Sequence, residues 1–509
     1  MVTEMEFERI TPEQAGVPSS SILQFMDGCK KKGLELHSFM FLRHGKVYAE
    51  SWYKPYNKDS HHIMFSFTKS LTSTAIGFAN QEGLLSIDEY LVDIFPDKIP
   101  ENPSENLKKC QIKHLLMMGC GHKDEIEAMG ISNPDWVTAF LHHEFVYEPG
   151  TKFMYNTAGT NMLCAVLKKK TGMNLMEFLK PRLLDKLGMG DVPCYSLLDG
   201  VSMGGAGSRL TTDKMARFIQ FVANRGVWNG ERLLEDSWFD LATEKQIGNA
   251  ETSQLPDWQQ GYGFQFWRCV PEGVFRADGA FGQYGVVCTK QDAVFIVTSA
   301  SINMHDVLNV IWEEILPQMS ENPLPEDKEA NAVLHYVLEH NEITPVLSRR
   351  ITQLEEQYNG AVYECVSGTT GSLADIIGGA GIATKGSMGC VMKPYSTEKL
   401  GKIALEFTET ALNIKAVTGG VAEVLPVSLE SHFNSFELSG KVFGAVGTWV
   451  SENRFEFLVY CAEGASGKRF TMNFTEDGLR ISQNTSLTLS FGLSDDDYSD
   501  IVFKSISKE

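Results

Sequence analysis

Ser66 and Lys69 stand three residues apart at the head of the stretch His61 to Gly77, which is otherwise small and apolar. From Phe65 to Ala79 there is no acid and no proline, and Lys69 is the one cation. On a helix, residues three apart share a face. A hydroxyl and an amine so placed can do nucleophilic chemistry: the amine takes the proton and the oxygen attacks a carbonyl carbon. A lone cation entering an apolar helix is costly to desolvate unless something uses it. The bland reading is an ordinary helix start with a snorkelling lysine. The same spacing recurs at Ser396/Lys399 and Ser505/Lys508 in polar surroundings, so spacing alone selects nothing. What favours Ser66 is that it opens a long apolar helix, whose free N–H groups suit developing negative charge.

Acyl transfer by serine needs a nucleophile, a base, an acid for the leaving group and an oxyanion hole. No Gly-x-Ser-x-Gly elbow marks a serine for a Ser-His-Asp triad. Tyr155, just after the Pro149-Gly150 turn, offers a phenol, and the glycine-flanked Gly279-Ala280 offers a backbone N–H at a strand edge. Alone, Tyr155 would be read as a core tyrosine and Gly279 as a turn glycine. No Walker loop, Gly-x-Gly-x-x-Gly, His-Glu-x-x-His or Cys/His ligand spacing occurs, so neither metal nor cofactor is expected.

The surrounding pattern supplies elements to position these groups. Pro12 to Gly33 reads as an amphipathic helix capped by Ser19, Ser20 or Ser21. His37–Arg43 and Lys46–Tyr53 around His44-Gly45 read as a hairpin. Tyr147 to Asn161 reads as a turn and an extended segment before an apolar helix closed by Lys168 to Gly172. Gly261–Trp267, Val274–Ala277, Tyr284–Thr289 and Ala293–Ser299 read as strands of an antiparallel sheet completed by the hairpin, and Val307 to Leu316 as a helix. Ser320 to Glu329 is polar with two prolines, a linker signature. From Gly360 onward short alternating runs dominate: Lys402–Phe407, Ala411–Val417, Phe436–Lys441, Arg454–Cys461, Arg469–Phe474, Gly478–Ser482 and Ser486–Phe491. Gly368 to Gly389 reads as a long loop or lid.

The fold class expected is therefore α+β. Residues 1–320 would form the sheet-and-helix domain, 321–358 a linker and helical connection, and 359–509 a smaller β-rich barrel or sandwich. The 509 residues are 43% hydrophobic and 22% charged, as in a soluble globular protein, with a formal net charge of -20. That balance argues against nucleic acid or an anionic membrane as partner. No apolar run is long enough to span a bilayer, and no signal peptide is visible. The ten cysteines are scattered without a Cys-x-x-Cys pair, which points to free thiols in a reducing cytoplasm.

From about Ile10 to Leu316 the sequence resembles the class C β-lactamase and penicillin-binding protein superfamily of serine hydrolases, with its family VIII carboxylesterases, D-aminopeptidases and nylon-oligomer hydrolases. The resemblance rests on Phe65 to Ser73, Gln81 to Asp88, Ile112 to Leu116, Pro149 to Tyr155, Gly204 to Asp213 and Trp228 to Leu234, in that order. It implies a β-lactamase/transpeptidase-like domain in which Ser66 is the nucleophile and Lys69 the base. Tyr155 would relay the proton, and the N–H groups of Ser66 and Ala280 would form the oxyanion hole. Whether Lys69 acts neutral, or stays charged and lowers the Tyr155 pKa, is left open. Two departures stand out. The family's Tyr-x-Asn is Tyr155-Asn156-Thr157, which puts a hydroxyl where a substrate amide is held. The lactamases' Lys-Thr-Gly is Ala277-Asp278-Gly279, so the carboxylate-binding cation is absent and Asp278 beside its place would repel a carboxylate. The reading is then a hydrolase of a small ester or amide with weak or no β-lactamase activity, with Thr157, Asp278, Gly279, Tyr262 and Phe281 contacting substrate. The alternatives are a D-amino-acid peptidase or amidase using Asp278 or Glu144, and a non-catalytic binding protein on the same fold. A homo-oligomer is compatible with all three.

Overall fold

The structure, a computed structural model, describes residues 6–126, 133–343, 347–368, 372–378, 400–465, 467–485 and 500–506. The chain divides into two compact units. One comprises Met1–Ser51 and Ile63–Glu339, the other Trp52–His62 and His340–Glu509.

In the first unit, α1 (Ser19–Lys31) buries Ile22, Phe25 and Cys29 along one stripe and places Lys30 and Lys31 at its carbonyl end. Its N-cap is Pro18, without a side-chain cap, so the expected serine cap is not used. Gly33, at φ +67°, ends the turn that follows. Strands β1 (Leu36–Arg43) and β2 (Lys46–Trp52) form the expected hairpin. His44 and Gly45 both have positive φ, the I′ geometry that suits a two-residue hairpin.

Helix α2 (Thr68–Gln81) is buried from Thr68 to Ala79 and follows a 3₁₀ turn, Phe65–Phe67. Ser66 therefore sits in that turn and not in the α-helix itself. Helix α3 (Thr157–Thr171) starts four residues before the expected Asn161, because the Asn156 side chain accepts the Gly159 N–H at 2.8 Å. Helix α4 (Thr212–Ala223), capped by Thr211, lies against the sheet.

Strands β3 (Trp267–Arg268), β4 (Val274–Gly279), β5 (Gln283–Cys288) and β6 (Ala293–Ser299) complete the sheet in the order β2-β1-β6-β5-β4-β3. Every residue of β4, β5 and β6 is buried, since helices such as α4 cover a face that would otherwise meet water. The glycine-rich lead-in from Gly261 is not strand; only Trp267–Arg268 pairs with β4, at Trp267↔Arg276 and Arg268↔Phe275. The polar stretch expected as a linker is tied down: Ser320 N–H donates to Gly16 O and Leu324 N–H to Glu13 O, each at 2.8 Å. A helix, Lys328–Glu339, closes this unit.

The second unit is a barrel. Nine strands follow one another around it: Val421–Ser428, Ala411–Thr418, Leu400–Phe407, Val362–Ser367, Ile501–Ile506, Gly478–Thr485, Gly467–Thr475, Arg454–Cys461 and Lys441–Ser451. A parallel bridge, Ser428↔Val446, joins the last to the first, and Asn434–Leu438 adds a short outer strand. Leu412, Ile414 and Ala416 alternate inward to a core holding Trp449, Phe455 and Phe470. The strand expected at Phe436–Lys441 spans a turn instead: Ser439 and Gly440 both have positive φ and separate two strands. Within Gly368 to Gly389, Leu373–Gly378 is a helix whose Leu373, Ile376 and Ile377 join the barrel core. Residues 369–371 and 379–389, and the expected strand Ser486–Phe491, lie outside the described residues.

Candidate active site

Three elements of the first unit converge on Ser66. The 3₁₀ turn carries it, α3 brings Thr157, and the end of β4 brings Asp278 to Ala280. Phe65, immediately before the serine, has φ +47°, a conformation a bulky side chain resists. Such strain persists only where the surroundings over-determine the backbone. Here Phe65 packs edge-on against Phe281 at 5.4 Å, Met64 N–H donates to Ser208 O at 2.9 Å, and Gly279 abuts Met64. A Cβ built on Gly279 would lie 2.2 Å from the Met64 carbonyl oxygen, so only glycine lets β4 approach the serine turn.

The Lys69 Nζ lies 3.0 Å from Ser66 Oγ, 3.2 Å from Thr157 Oγ1 and 2.7 Å from Gly205 O. The lysine is 1% exposed. Burial lowers its pKa to about 7, against the opposing pull of Glu125 and Asp278. The Tyr155 ring stacks on Trp267 at 5.5 Å, and its centroid is 4.9 Å from the Lys69 Nζ. Burial raises the Tyr155 phenol well above its ordinary value, and Ser66 opposes this. Serine, lysine and phenol thus share one site, with the lysine poised to titrate near neutrality and the phenol to keep its proton.

The connection from β4 to β5 is held rigidly. Gln283, fully buried, donates to Ala280 O at 2.9 Å and Ser299 O at 2.8 Å, and accepts the Ser299 N–H at 3.2 Å. The Ala280 N–H meets no backbone acceptor among the described residues. It is therefore available to an incoming oxygen beside Ser66.

Asp278 lines the cleft, but its charge is already engaged. Arg276 Nε donates to it at 2.8 Å, and the Arg276 guanidinium is fully buried, 4.3 Å from the Trp258 ring centroid and 5.6 Å from that of Trp267. Arg276 also donates to the Asp257 carbonyl at 3.0 Å, so it is pinned behind the wall and is not itself a lining residue. Burial raises the Asp278 pKa, and Arg276 and Lys69 oppose this.

The cleft has a volume of about 910 Å³. Ser66, Tyr155, Asp278 and Ala280 stand on its surface, and Phe153, Leu255, Trp258, Trp267, Ile302 and Met304 supply most of its apolar wall. These are not the aromatics expected from the sequence. Tyr262, at 1% exposure, lies behind Tyr155 and Trp267, and Phe281 is turned onto Phe65 with φ +67°. Both are corrections to the expected wall, since an aromatic in a glycine-rich segment can pack either way and local pattern does not say which. Thr157 and Gly279 also lie behind the lining surface, the first bonded to Lys69 and the second against Met64.

Sequence reasoning missed Glu125, Gln283 and Gly205. Glu125 accepts the Ala158 N–H at 2.9 Å, and its charge opposes the effect of burial on Lys69. It belongs to no motif, and its only signal is being an acid near a glycine-rich turn.

A model of the β-lactamase family matches residues 24–309. The chain is 24% identical over 289 residues to a 6-aminohexanoate-dimer hydrolase of Paenarthrobacter ureafaciens, which covers 52% of this chain and 72% of that one. Among solved structures, a Bacteroides dorei protein assigned as a β-lactamase superposes with a TM-score of 0.51 at 16% identity, over 58% of this chain and 99% of its own. An octameric penicillin-binding protein homologue from Pyrococcus abyssi covers 91% of this chain and 99% of its own, with a TM-score of 0.48 at 14% identity.

Proposed function

The chain belongs to the β-lactamase family of hydrolases, and on that premise we propose that it cleaves a small ester or amide through an acyl-enzyme on Ser66. The observation that carries this reading is the single site shared by Ser66, Lys69 and Tyr155. Neutral Lys69 takes the Ser66 proton as the oxygen attacks the substrate carbonyl. The oxyanion of the tetrahedral intermediate receives the N–H groups of Ser66 and Ala280. Tyr155, still protonated, passes a proton to the leaving oxygen or nitrogen and regains one from the lysine. Water then displaces the acyl group by the same route in reverse. Of the two roles left open for the lysine, the neutral base is favoured, because burial depresses Lys69 and raises the phenol.

The apolar side chains of the wall suit an apolar acyl chain, while Lys123, Asp278, His305 and Asp306 give the cleft polar positions as well. A substrate carboxylate would meet Asp278 on the wall, and Ala277 stands where the lactamases offer a cation, which supports poor β-lactam turnover. The peptidase alternative, in which Asp278 receives an ammonium, gains less support because Arg276 already pairs with that carboxylate. The relative named for hydrolysing a 6-aminohexanoate dimer supports an amide as well as an ester.

The test is S66A against wild type, using p-nitrophenyl acyl esters, nitrocefin and a fluorophosphonate read by intact mass. Wild type should hydrolyse the esters, turn over nitrocefin poorly and take one phosphonate at Ser66, and S66A should lose both ester turnover and label. Undiminished ester turnover in S66A would exclude the mechanism.

A further inference from the structure

The two backbone N–H groups that would receive the oxyanion each stand beside an aromatic residue in the left-handed region. Phe65, at φ +47°, precedes Ser66, and Phe281, at φ +67°, follows Ala280. Bulky side chains resist that conformation. The two residues are 2% and 6% exposed, and their rings meet edge to face, with centroids 5.4 Å apart and planes at 70°.

The turn around Ala280 shows what that contact can do. The Gly282 N–H donates to Gly279 O at 3.2 Å and closes a four-residue turn with Ala280 and Phe281 at its centre. The peptide joining Gly279 to Ala280 is planar and trans, so its oxygen points into the turn and the Ala280 N–H points away from it. A positive φ at the third residue of such a turn suits glycine. Here a phenylalanine takes that place, although Gly282 is the very next residue. The far side of the turn is fastened: the Ser299 hydroxyl donates to Phe281 O, the Ser301 N–H donates to the same oxygen at 3.0 Å, and Gln283 donates to Ala280 O at 2.9 Å. Toward the serine turn, bare Gly279 abuts Met64 and the Phe281 ring reaches Phe65.

We infer that Phe65 and Phe281 are positioning residues: their ring contact holds both backbones left-handed and so sets the spacing between the N–H groups of Ser66 and Ala280. The inference rests on the acyl-transfer reading of Ser66 and deepens it. Glycine adopts positive φ freely, so a glycine at either position keeps the backbone accessible and removes only the side chain that constrains it.

The experiment compares p-nitrophenyl butyrate with its thiono analogue in wild type, F65G, F281G and F65G/F281G, with rates normalised to the amount of Ser66 labelled at completion by a fluorophosphonate. Sulfur is a weak acceptor, so a well-set oxyanion hole favours the oxo ester over the thiono ester. Wild type should show that preference, and it should fall at least about tenfold in each single variant. In the double variant it should fall no further than in the worse single one, because the same contact is lost in all three. A side chain that only braced the fold would slow both esters alike and leave the preference unmoved. An unchanged preference in both single variants, or losses that multiply in the double variant, would overturn the inference. Should the glycine variants fail to fold, F65L and F281L decide: each keeps apolar bulk without a ring edge, and an unmoved preference in both counts against the proposal. Absence of label in wild type would bring down the acyl-enzyme reading itself, an outcome distinct from any in which only the variants behave unexpectedly.

Discussion

Lys69 enters the interior at a cost in its charge state. Unfolded, its amine titrates near the ordinary 10.5; buried on α2, it titrates near about 7. Between those values the unfolded chain holds a proton that the folded chain has lost, so stability rises with pH across that window. Below about pH 7 both states are protonated and the full burial penalty applies. K69M should therefore stabilise the protein at pH 6 by on the order of 3 kcal/mol, and the gain should shrink as pH climbs from 7 toward 10.5. Urea unfolding at a series of pH values measures this; a gain that grew with pH would contradict it. The same variant should lose labelling at Ser66, the trade between stability and activity found at functional sites. The pair Ser66 and Lys69 was legible as residue types at helical spacing within an apolar run. Glu125 was not, because its place beside the site comes from Ala158 and Lys69, residues more than thirty positions away.

At the scale of elements, close approach decides the site. Gly285 on β5 faces α4 and the serine turn: a Cβ there would lie 2.5 Å from Ile219 Cγ1 and 2.9 Å from the Phe67 ring. G285A should cost about 1–3 kcal/mol by overpacking. It should also slow labelling, because Phe67 adjoins Ser66. Denaturant unfolding together with labelling rate tests both, and wild-type values for both would refute the packing argument. The helices and strands near the site were readable from periodicity, but their ends were not. The start of α3 moved to Thr157 because an asparagine cap outweighed the apolar pattern that begins later. Strand β4 runs on to Gly279 because pairing with β5 continues to Gly279↔Gln283, a fact of register rather than of local composition.

Across the whole molecule, the division into units departs from chain order. The segment Trp52–His62, which shortly precedes Ser66 in the chain, belongs to the barrel unit. Tyr56 there packs with Ile343, Phe433, Val446 and Tyr460, and its hydroxyl donates to Gly464 O at 3.0 Å. The barrel has its own core, so W449A should destabilise that unit by about 3–5 kcal/mol. Thermal unfolding followed by scanning calorimetry should then show the transition of the barrel move down, with Ser66 labelling at 20 °C below that transition retained. Loss of labelling while the barrel is still folded would contradict this. No helix among the described residues is long and apolar enough to cross a membrane.

Residue types, their order and the family resemblance together were enough to single out the serine, the lysine and the tyrosine as candidates and to name the hydrolase family, and helical period constrains the first two locally. The α+β first part and the β-rich tail were likewise legible, since periods of 3.6 and 2 are properties of short windows. Which aromatics wall the cleft, which acids face the lysine, whether Asp278 carries a free charge and which unit owns Trp52–His62 came only from the folded chain. Each of these depends on contacts between residues distant in sequence, where burial and hydrogen-bond partners are set by packing and leave no trace in local composition.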